Sequence, residues 1–331
     1  MKAPRMSEPN KKRPRLPVID AARGVAIVAM AIYHLCWDLS YFRFIGVDVG
    51  YDPGWVLFAR TILFAFMALV GIGLVLGHGR GMRWPAFWRR WALVAAGALL
   101  ISLGTWFTFP DSFVYFGVLH AIALASVLAL PFLFTPLWLT GLVSLAVIAL
   151  PFWFSDPLYD AKAFSWIGFW VTPPPANDLV PMFPWFGVVV LGIWAMRLTE
   201  RTGLIERLAS IRPGRIGRGL AFLGRWSLLI YLVHQPLLLG ALYPLAQATG
   251  SMESGRERDF LSSCQASCTA AGTGPGLCET YCQCGLEGVK RDDLWEPIFT
   301  GLVSAADQAR LDANNRQCSA LIYPELDGPG T

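Results

Sequence analysis

The sequence predicts an all-α membrane protein with about seven transmembrane helices, followed by a small cysteine-rich soluble segment. Three observations lead to this fold class. The 331 residues are 55% apolar and only 15% charged, whereas soluble domains carry roughly a quarter charged residues. The apolar residues are concentrated in stretches that are long enough to cross a bilayer. Six of the seven cysteines lie after the last of these stretches.

Seven segments have about the length that is needed to cross a hydrocarbon core of ~30 Å, the sixth only barely. Because lipid offers no hydrogen-bond partner to the backbone, we expect each segment to be helical. Turn signals such as Asp52-Pro53-Gly54 and the proline run at 173–175 separate them. The expected spans are Pro17–Leu39, Trp55–Gly77, Trp88–Phe109, Phe113–Leu133, Pro136–Phe154, Met182–Leu198 and Gly224–Ala246.

Basic residues predict the orientation of these spans, since Lys and Arg concentrate in cytoplasmic connections. Six precede Pro17, four (Arg80, Arg83, Arg89 and Arg90) lie in the connection after the second span or at the adjoining start of the third, and seven lie at 197–225. The opposite side has only Arg43 and Lys162 between the spans. The N-terminus is therefore predicted to be cytoplasmic and, with an odd number of spans, the C-terminus extracytoplasmic. No cleavable signal peptide is apparent at the first span.

The composition divides the chain into three regions. Residues 1–16 form a basic tail, which we expect at the anionic cytoplasmic membrane surface. Residues 17–248 form the membrane domain, and residues 249–331 form an extracytoplasmic segment. The arginine-rich connection before the last span is typical of a topology signal, so the expected partner is the lipid bilayer and not a nucleic acid. The sequence leaves homo-oligomer formation open.

Ionisable residues within the expected spans need an explanation, because each costs at least ~2.5 kcal/mol at membrane depth. The first span holds Asp20 and Arg23 near its cytoplasmic start. An interfacial ion pair at i and i+3 is the simpler interpretation of these two. The same span holds His34 and Asp38 near its outer end, four residues apart and therefore on one helix face.

Other polar residues occur in later spans. Arg60 lies in the second, His120 lies in the fourth nearer the outside, and His234 lies in the seventh near the midplane. By their depth in the membrane, Arg60 and His120 would form an outer layer with His34 and Asp38. A hydrogen bond between helices is the simpler interpretation of any single histidine, but the group together favours a functional polar cavity.

Acyl transfer is the chemistry that such a cavity supports. A neutral imidazole takes a proton from an attacking hydroxyl or amine, and a carboxylate fixes its tautomer. His34 and Asp38 supply this pair within one helix, and His120 is the competing base. His78 falls in a cytoplasmic connection and is expected to be solvated. The sequence has no phosphate-binding loop, no HExxH motif and no GxSxG motif.

Three stretches carry a resemblance to a known family: IDAARGVAIVAMAIYHLCWDLSYF, YFGVLHAIALAS and LGRWSLLIYLVHQPLLL. They resemble the bacterial branch of the heparan-alpha-glucosaminide N-acetyltransferase catalytic-domain family, within the membrane acyltransferase superfamily. The resemblance covers roughly residues 15–248. Its most specific matches are Asp20-x-x-Arg23-Gly24 with Tyr33-His34, and Tyr231-Leu232-x-His234-Gln235-Pro236.

The resemblance implies transfer of an acetyl group from cytoplasmic acetyl-CoA to an extracytoplasmic sugar amine or hydroxyl of a glycan or glycolipid, with no metal. On the matching positions, His34 would be the base, and Asp20 with Arg23 would organise the donor entrance. Arg89 and Arg90, by their charge and side, are further candidates for the phosphates of coenzyme A. The expected location is a bacterial inner membrane, with the C-terminus in the periplasm.

The chain departs from the family pattern in one loop. In eukaryotic members the catalytic histidine follows the first span, whereas the corresponding loop here, RFIGVDVGYDP, has no histidine. Two interpretations remain: His34 acts as the base, as in the wider acyltransferase group, or the activity has changed.

The segment after the last span contains two Cys-x-x-x-Cys pairs around Gly-Pro-Gly. Each pair spaces its thiols one helical turn apart, so we expect two helices that two disulfides join, as in oxidising compartments. A four-thiolate zinc site is the alternative, although structural zinc sites usually have tighter spacings. Two further cysteines would close a loop over an amphipathic stretch at 302–321. The six residues are Cys264, Cys268, Cys278, Cys282, Cys284 and Cys318.

Two other functions compete with the acyltransferase. A transporter or flippase could use the membrane histidines to relay protons, although transporters usually consist of repeated halves and no repeat is visible here. The membrane domain could instead serve only as a structural anchor for the cysteine-rich segment, but the polar residues in its spans would then have no role. Binding or hydrolysis of acetyl-CoA distinguishes the enzyme from the transporter.

Overall fold

The computed structural model of the protein describes residues 16–300 and 303–322, with the backbone alone at 299 and 300. All regular elements in these ranges are helical. The expected tail at 1–16 falls outside the described residues except for its last residue. The α-helices are α1 (Pro17–Tyr41), α2 (Pro53–His78), α3 (Trp84–Thr108), α4 (Val118–Leu128), α5 (Leu137–Ala149), α6 (Lys162–Ser165), α7 (Met182–Arg201), α8 (Leu204–Ser210), α9 (Arg215–Arg225), α10 (Ser227–Thr249), α11 (Ser251–Ala270), α12 (Pro275–Arg291), α13 (Trp295–Thr300) and α14 (Ala305–Ile322).

Five of the described helices are long and apolar enough to cross a membrane: α1, α2, α3, α7 and α10. Large apolar side chains on α3 and on the shorter α5 face outward, which suits a lipid environment and is unusual for a soluble surface. The most exposed of them are Leu93, Leu99, Leu100, Leu103, Trp106, Phe107, Trp138, Leu142 and Leu145. These helices make the chain an integral membrane protein.

The fourth and fifth expected spans differ from the prediction. In their place stand α4 with 11 residues and α5 with 13, both shorter than the ~20 residues of a typical transmembrane helix. Pro131 and Pro151 follow them in the 3₁₀ turns Leu130–Leu133 and Leu150–Phe152. Proline lacks the N–H that an α-helix needs and so ends both helices.

Side chains of α3 explain why α4 begins late. The amide of Val114 donates to Thr105 Oγ1 at 3.0 Å, and Ser102 Oγ donates to the carbonyl of Val114 at 2.6 Å. Because these side chains satisfy the backbone N–H and C=O of Val114, the segment before Val118 does not require helical hydrogen bonds. The amide of Val180 also donates to the carbonyl of Phe116 at 3.0 Å. Residues near 180 therefore lie beside the start of α4.

Glycines permit two close helix crossings in the membrane domain. A Cβ on Gly71 of α2 would collide with the backbone of Val189, and one on Gly192 of α7 would collide with the backbone of Ala68. Small residues at such crossings are typical of membrane helices. The glycine of the Asp20-x-x-Arg23-Gly24 motif has the same role, because a Cβ there would meet the backbone of α9.

The described residues form two compact units. The first comprises 16–37 and 49–239, and the second comprises 38–48 and 240–322. In the core of the first unit, Met67 and Val75 of α2 pack with Ala121 of α4 and with Val189 and Ile193 of α7, all fully buried.

Three disulfides join the helices of the second unit, as the cysteine spacing predicts. Cys264 pairs with Cys282 and Cys268 with Cys278, so α11 and α12 are joined twice. Cys284 on α12 pairs with Cys318 on α14.

Residues 38–48 belong to this second unit through specific contacts. Ser251 Oγ donates to the carbonyl of Phe42 at 2.8 Å, and Arg43 pairs with Asp259 at 2.5 Å. Arg258 also donates to the carbonyl of Arg43 at 3.1 Å. The loop that follows α1 is therefore held by α11, a contact that the sequence did not predict.

Candidate functional site

The central feature of the first unit is a pair of histidines from two long helices. His34 of α1 and His234 of α10 have ring centroids 4.9 Å apart, at an angle of 60°. Both side chains are half-buried. The two residues were expected at different depths, but their rings are in contact.

Hydrogen bonding defines the proton position on His234. Its Nδ1 lies 2.7 Å from the carbonyl oxygen of Tyr231. Because a carbonyl only accepts hydrogen bonds, Nδ1 of the neutral ring carries the hydrogen and Nε2 carries a lone pair. This Nε2 is buried and has no hydrogen-bond partner among the described residues. A bare imidazole nitrogen in such a place can accept a proton.

Aromatic rings surround the pair. Tyr33 makes an edge contact with His34 at 5.5 Å, and Trp55 and Phe58 of α2 each lie 6.4 Å from Tyr33. Tyr231 lies 5.8 Å from His234. The tyrosines of both motif matches therefore flank the histidines of those motifs.

A carboxylate that the sequence analysis missed approaches the same tyrosines. Asp178 accepts a hydrogen bond from the amide of Val118, at the start of α4, at 3.2 Å. It also acts electrostatically on Tyr33 and Tyr231. Burial raises the pKa of Asp178 to about 6, against the opposing effect of the Val118 hydrogen bond. The only sequence signal for it was an acidic residue in the loop before an apolar span.

His120 is occupied by hydrogen bonds to its own surroundings. The single hydroxyl hydrogen of Ser102 goes to the carbonyl of Val114, so Ser102 Oγ accepts from His120 Nε2–H at 3.1 Å. His120 Nδ1 then accepts from the amide of Gly117 at 3.2 Å. Both ring nitrogens of neutral His120 are used, and the residue caps α4.

A second cluster lies near the N-terminal end of α1. Arg23 pairs with Asp20 at 3.4 Å. The guanidinium of Arg90 on α3 approaches the same place, because a Cβ on Gly73 would lie 2.9 Å from Arg23 Nη2 and 3.9 Å from Arg90 Nη1. Two positive charges thus converge beside one negative charge, which leaves a net positive charge for an anion.

The remaining candidates are dispersed. Arg60 and Arg89 are exposed on α2 and α3. Asp38 is completely buried, and its backbone carbonyl accepts from the amide of Phe42. His78 is only 9% exposed, contrary to expectation, because its Nδ1 accepts from the amide of Arg83 at 3.3 Å and closes the end of α2.

Comparison with known proteins identifies the domain that carries these residues. The family model described as "Heparan-alpha-glucosaminide N-acetyltransferase, catalytic" matches residues 15–236, about two thirds of the chain. Both histidines, Asp178 and the arginine cluster lie inside the matched region. No curated protein and no solved structure shows a match to the chain. The chain therefore belongs to the heparan-alpha-glucosaminide N-acetyltransferase catalytic-domain family, which implies that it is a transferase.

Proposed function

We propose that this protein transfers an acetyl group from cytoplasmic acetyl-CoA to an amine or hydroxyl of a glycan or glycolipid on the other side of the membrane. The observation that carries the proposal is the His34–His234 pair, which offers a bare imidazole nitrogen among membrane helices of the matched region. Ionisable groups inside membrane spans are costly and commonly mark functional sites.

The reaction needs one proton to move. An imidazole of the pair removes a proton from the acceptor amine or hydroxyl as the acceptor attacks the thioester carbonyl. The bare Nε2 belongs to His234, and His34, which we assign as the base from its place in the motif, lies in ring contact with it. A C–N or C–O bond forms, the C–S bond breaks, and the coenzyme A thiolate leaves. The imidazolium then returns the proton to the sulfur, so charge and atoms balance.

The hydrogen bonds of His120 argue against this residue as the base. Its Nδ1 accepts from the amide of Gly117 at the start of α4 and its Nε2 donates to Ser102 of α3, so this ring would have to give up a hydrogen bond before it could act as a base. Asp178 interacts electrostatically with Tyr33 and Tyr231, the tyrosines that flank the two histidines, and through this surrounding its ionised form would stabilise an imidazolium of the pair. The role of Asp38 as the carboxylate that orients His34 remains a prediction from the i, i+4 spacing.

The donor would bind at the arginine cluster. Arg23 and Arg90 converge beside Gly73, and Asp20 balances only one of their charges. Guanidinium groups bind phosphate oxygens in a bidentate manner, so the phosphates of coenzyme A suit this place. The pantetheine arm would then extend along the helices from the N-terminal end of α1 towards the histidine pair.

This route requires the orientation that the basic residues predict. We propose that α4 and α5, with the 3₁₀ turns that follow them, cross as two short segments beside the five long helices. Each such stretch spans 16 residues, 118–133 and 137–152, or roughly 24 Å if helical throughout. The donor cluster would then face the cytoplasm, and the C-terminal helices would lie in the periplasm of a bacterial inner membrane.

The direct test uses the purified full-length protein in lipid nanodiscs with acetyl-labelled acetyl-CoA and glucosamine. We expect labelled N-acetylglucosamine to appear, and the label to stay on coenzyme A when the His34→Ala variant replaces the wild-type protein. A protein that neither binds nor consumes acetyl-CoA, but carries protons across liposome membranes, would be a transporter instead. Family membership favours the enzyme.

A further inference from the structure

The second unit, whose helices are joined by disulfides, contains a cavity lined by residues of that unit alone. It has a volume of about 460 Å³, opens to the surface and is lined by residues of α11, α12, α13 and α14. This size falls within the ~300–1,000 Å³ of pockets that bind small organic molecules. Because Cys264 and Cys318 form part of its wall, the disulfides fix the walls of the cavity.

The lining of the cavity combines apolar and polar side chains. Phe260, Val289, Ile298 and Leu311 supply the apolar surface. The polar groups are hydroxyls and amides, from Ser263, Ser267, Tyr281, Asn314 and Asn315.

Hydrogen bonds within the unit hold several polar side chains of the lining in place. Tyr281 Oη donates to Asn315 Oδ1 at 2.6 Å, and Asn314 Nδ2 donates to the carbonyl of Gly285 at 3.1 Å. Asn314 is 93% buried, since its exposed fraction is 7%. Side chains held in place before a ligand arrives lose little conformational entropy on binding.

The cavity has almost no charge to offer. Asp259 is the one residue with an ionisable carboxylate among those that line it, and its carboxylate is paired with Arg43 at 2.5 Å. A charged ligand would find no opposite charge here. A fatty acyl chain would cover the polar side chains of the lining without offering them a hydrogen bond in place of water, which is costly.

We propose that this cavity binds a neutral saccharide of one or two rings. A sugar ring offers C–H groups to Phe260 and the other apolar side chains and hydroxyl groups to the serines and asparagines, so it suits a lining of both kinds. The choice of a sugar over other neutral polar molecules rests on the proposed glycan acceptor. The second unit would then bind a part of the acceptor glycan that does not itself react.

The test is saturation-transfer NMR on the full-length protein in nanodiscs, with N,N′-diacetylchitobiose and cellobiose as probes. We expect saturation transfer to a sugar with the wild-type protein and loss of most of that signal with Ser263→Trp, because the indole would fill the cavity. The matched control is Ser262→Trp, since Ser262 is the exposed neighbour on α11 that does not line the cavity. Intact disulfides, checked by mass spectrometry, establish that each variant is folded.

The outcomes separate this inference from the proposed function. Sugar binding that persists in His34→Ala, where acetyl transfer is lost, supports both. Sugar binding by a protein that never acetylates would refute the enzyme and leave the cavity site intact. No transfer to either sugar at millimolar concentration, or equal transfer in Ser263→Trp, overturns the inference. Transfer to nonanol alone would show an apolar site instead.

Discussion

The imidazole rings of His34 and His234 contact each other with their centroids 4.9 Å apart, although they come from opposite ends of the matched region. Two imidazoles this close do not both become charged readily, because like charges repel. We therefore expect the pair to hold no more than one proton at a time. A pair that cycles through a single proton suits general-base catalysis.

We expect His34→Ala to lower turnover by ~10²–10⁴-fold, the usual contribution of a general base, while the affinity for acetyl-CoA stays nearly unchanged. Radiolabelled acetyl transfer and equilibrium binding of acetyl-CoA measure the two effects. His120→Ala is the comparison, and it should act mainly through lower thermal stability because it removes the cap of α4. If His34→Ala works at the wild-type rate and a folded His120→Ala is inactive, the base lies on α4.

The contact between the two rings predicts coupled effects. His234→Ala should also reduce the rate, and the double variant should be only slightly worse than His34→Ala, because residues that act as a unit are not additive. The measurement is a double-mutant cycle on the rate of acetyl transfer. If the rate loss of the double variant equals the product of the two single losses, the rings do not function together.

Asp178 predicts a pH dependence of stability. Burial raises its pKa from 3.8 to about 6, so between about pH 4 and pH 6 the folded protein holds a proton that the unfolded chain has released. Stability should therefore fall as the pH rises through this window. Asp178→Asn does not titrate and should lack this part of the slope. Thermal unfolding of both proteins from pH 4 to pH 7 measures the difference, and parallel curves would contradict the assignment.

The same residue predicts a change in the pH–rate profile. If the ionised carboxylate of Asp178 stabilises the imidazolium, wild-type activity should have an acid limb with an apparent pKa near 6. Asp178→Asn should be slower and should lose that limb. An unchanged limb in the variant would assign it to another group.

The arginines of α3 provide a matched pair of variants for the donor site. Arg90 lies beside Arg23 near Gly73, whereas its sequence neighbour Arg89 is not among the side chains beside Gly73. Arg90→Ala should raise the KM for acetyl-CoA about tenfold, because a charge-assisted hydrogen bond contributes ~1.5–3 kcal/mol. Arg89→Ala should change it little. Equal effects of both variants would indicate general electrostatic attraction.

Orientation is tested by reporter fusions. An alkaline phosphatase fused after Ala246 should be active, because this enzyme needs the oxidising periplasm, and a fluorescent-protein fusion at the N-terminus should fluoresce in the cytoplasm. Seventeen basic residues on the proposed cytoplasmic side against two between spans on the other support this result. A phosphatase that is inactive at that position would reverse the topology and remove the proposed route of the acetyl group.

Local sequence determined the features that depend on neighbouring residues. Apolar stretches of sufficient length gave the five long helices, because a helix in lipid satisfies its backbone within itself. The Cys-x-x-x-Cys spacing gave the two disulfides between α11 and α12, because thiols one turn apart lie on one face. The i, i+3 spacing likewise gave the Asp20–Arg23 pair.

Tertiary contacts decided the rest. The fourth expected span shortened because Ser102 and Thr105 of α3 satisfy the backbone of Val114, and a hydropathy pattern does not contain that interaction.

Tertiary packing also selected the residues of the candidate site. It brought His234 to His34 and Arg90, not Arg89, to Arg23, because contacts between distant helices depend on how each helix is rotated about its axis. It brought Asp178 to the start of α4 from a loop with no periodic pattern. Neither helix rotation nor loop placement is encoded in local spacing, since both result from side-chain packing across the whole domain.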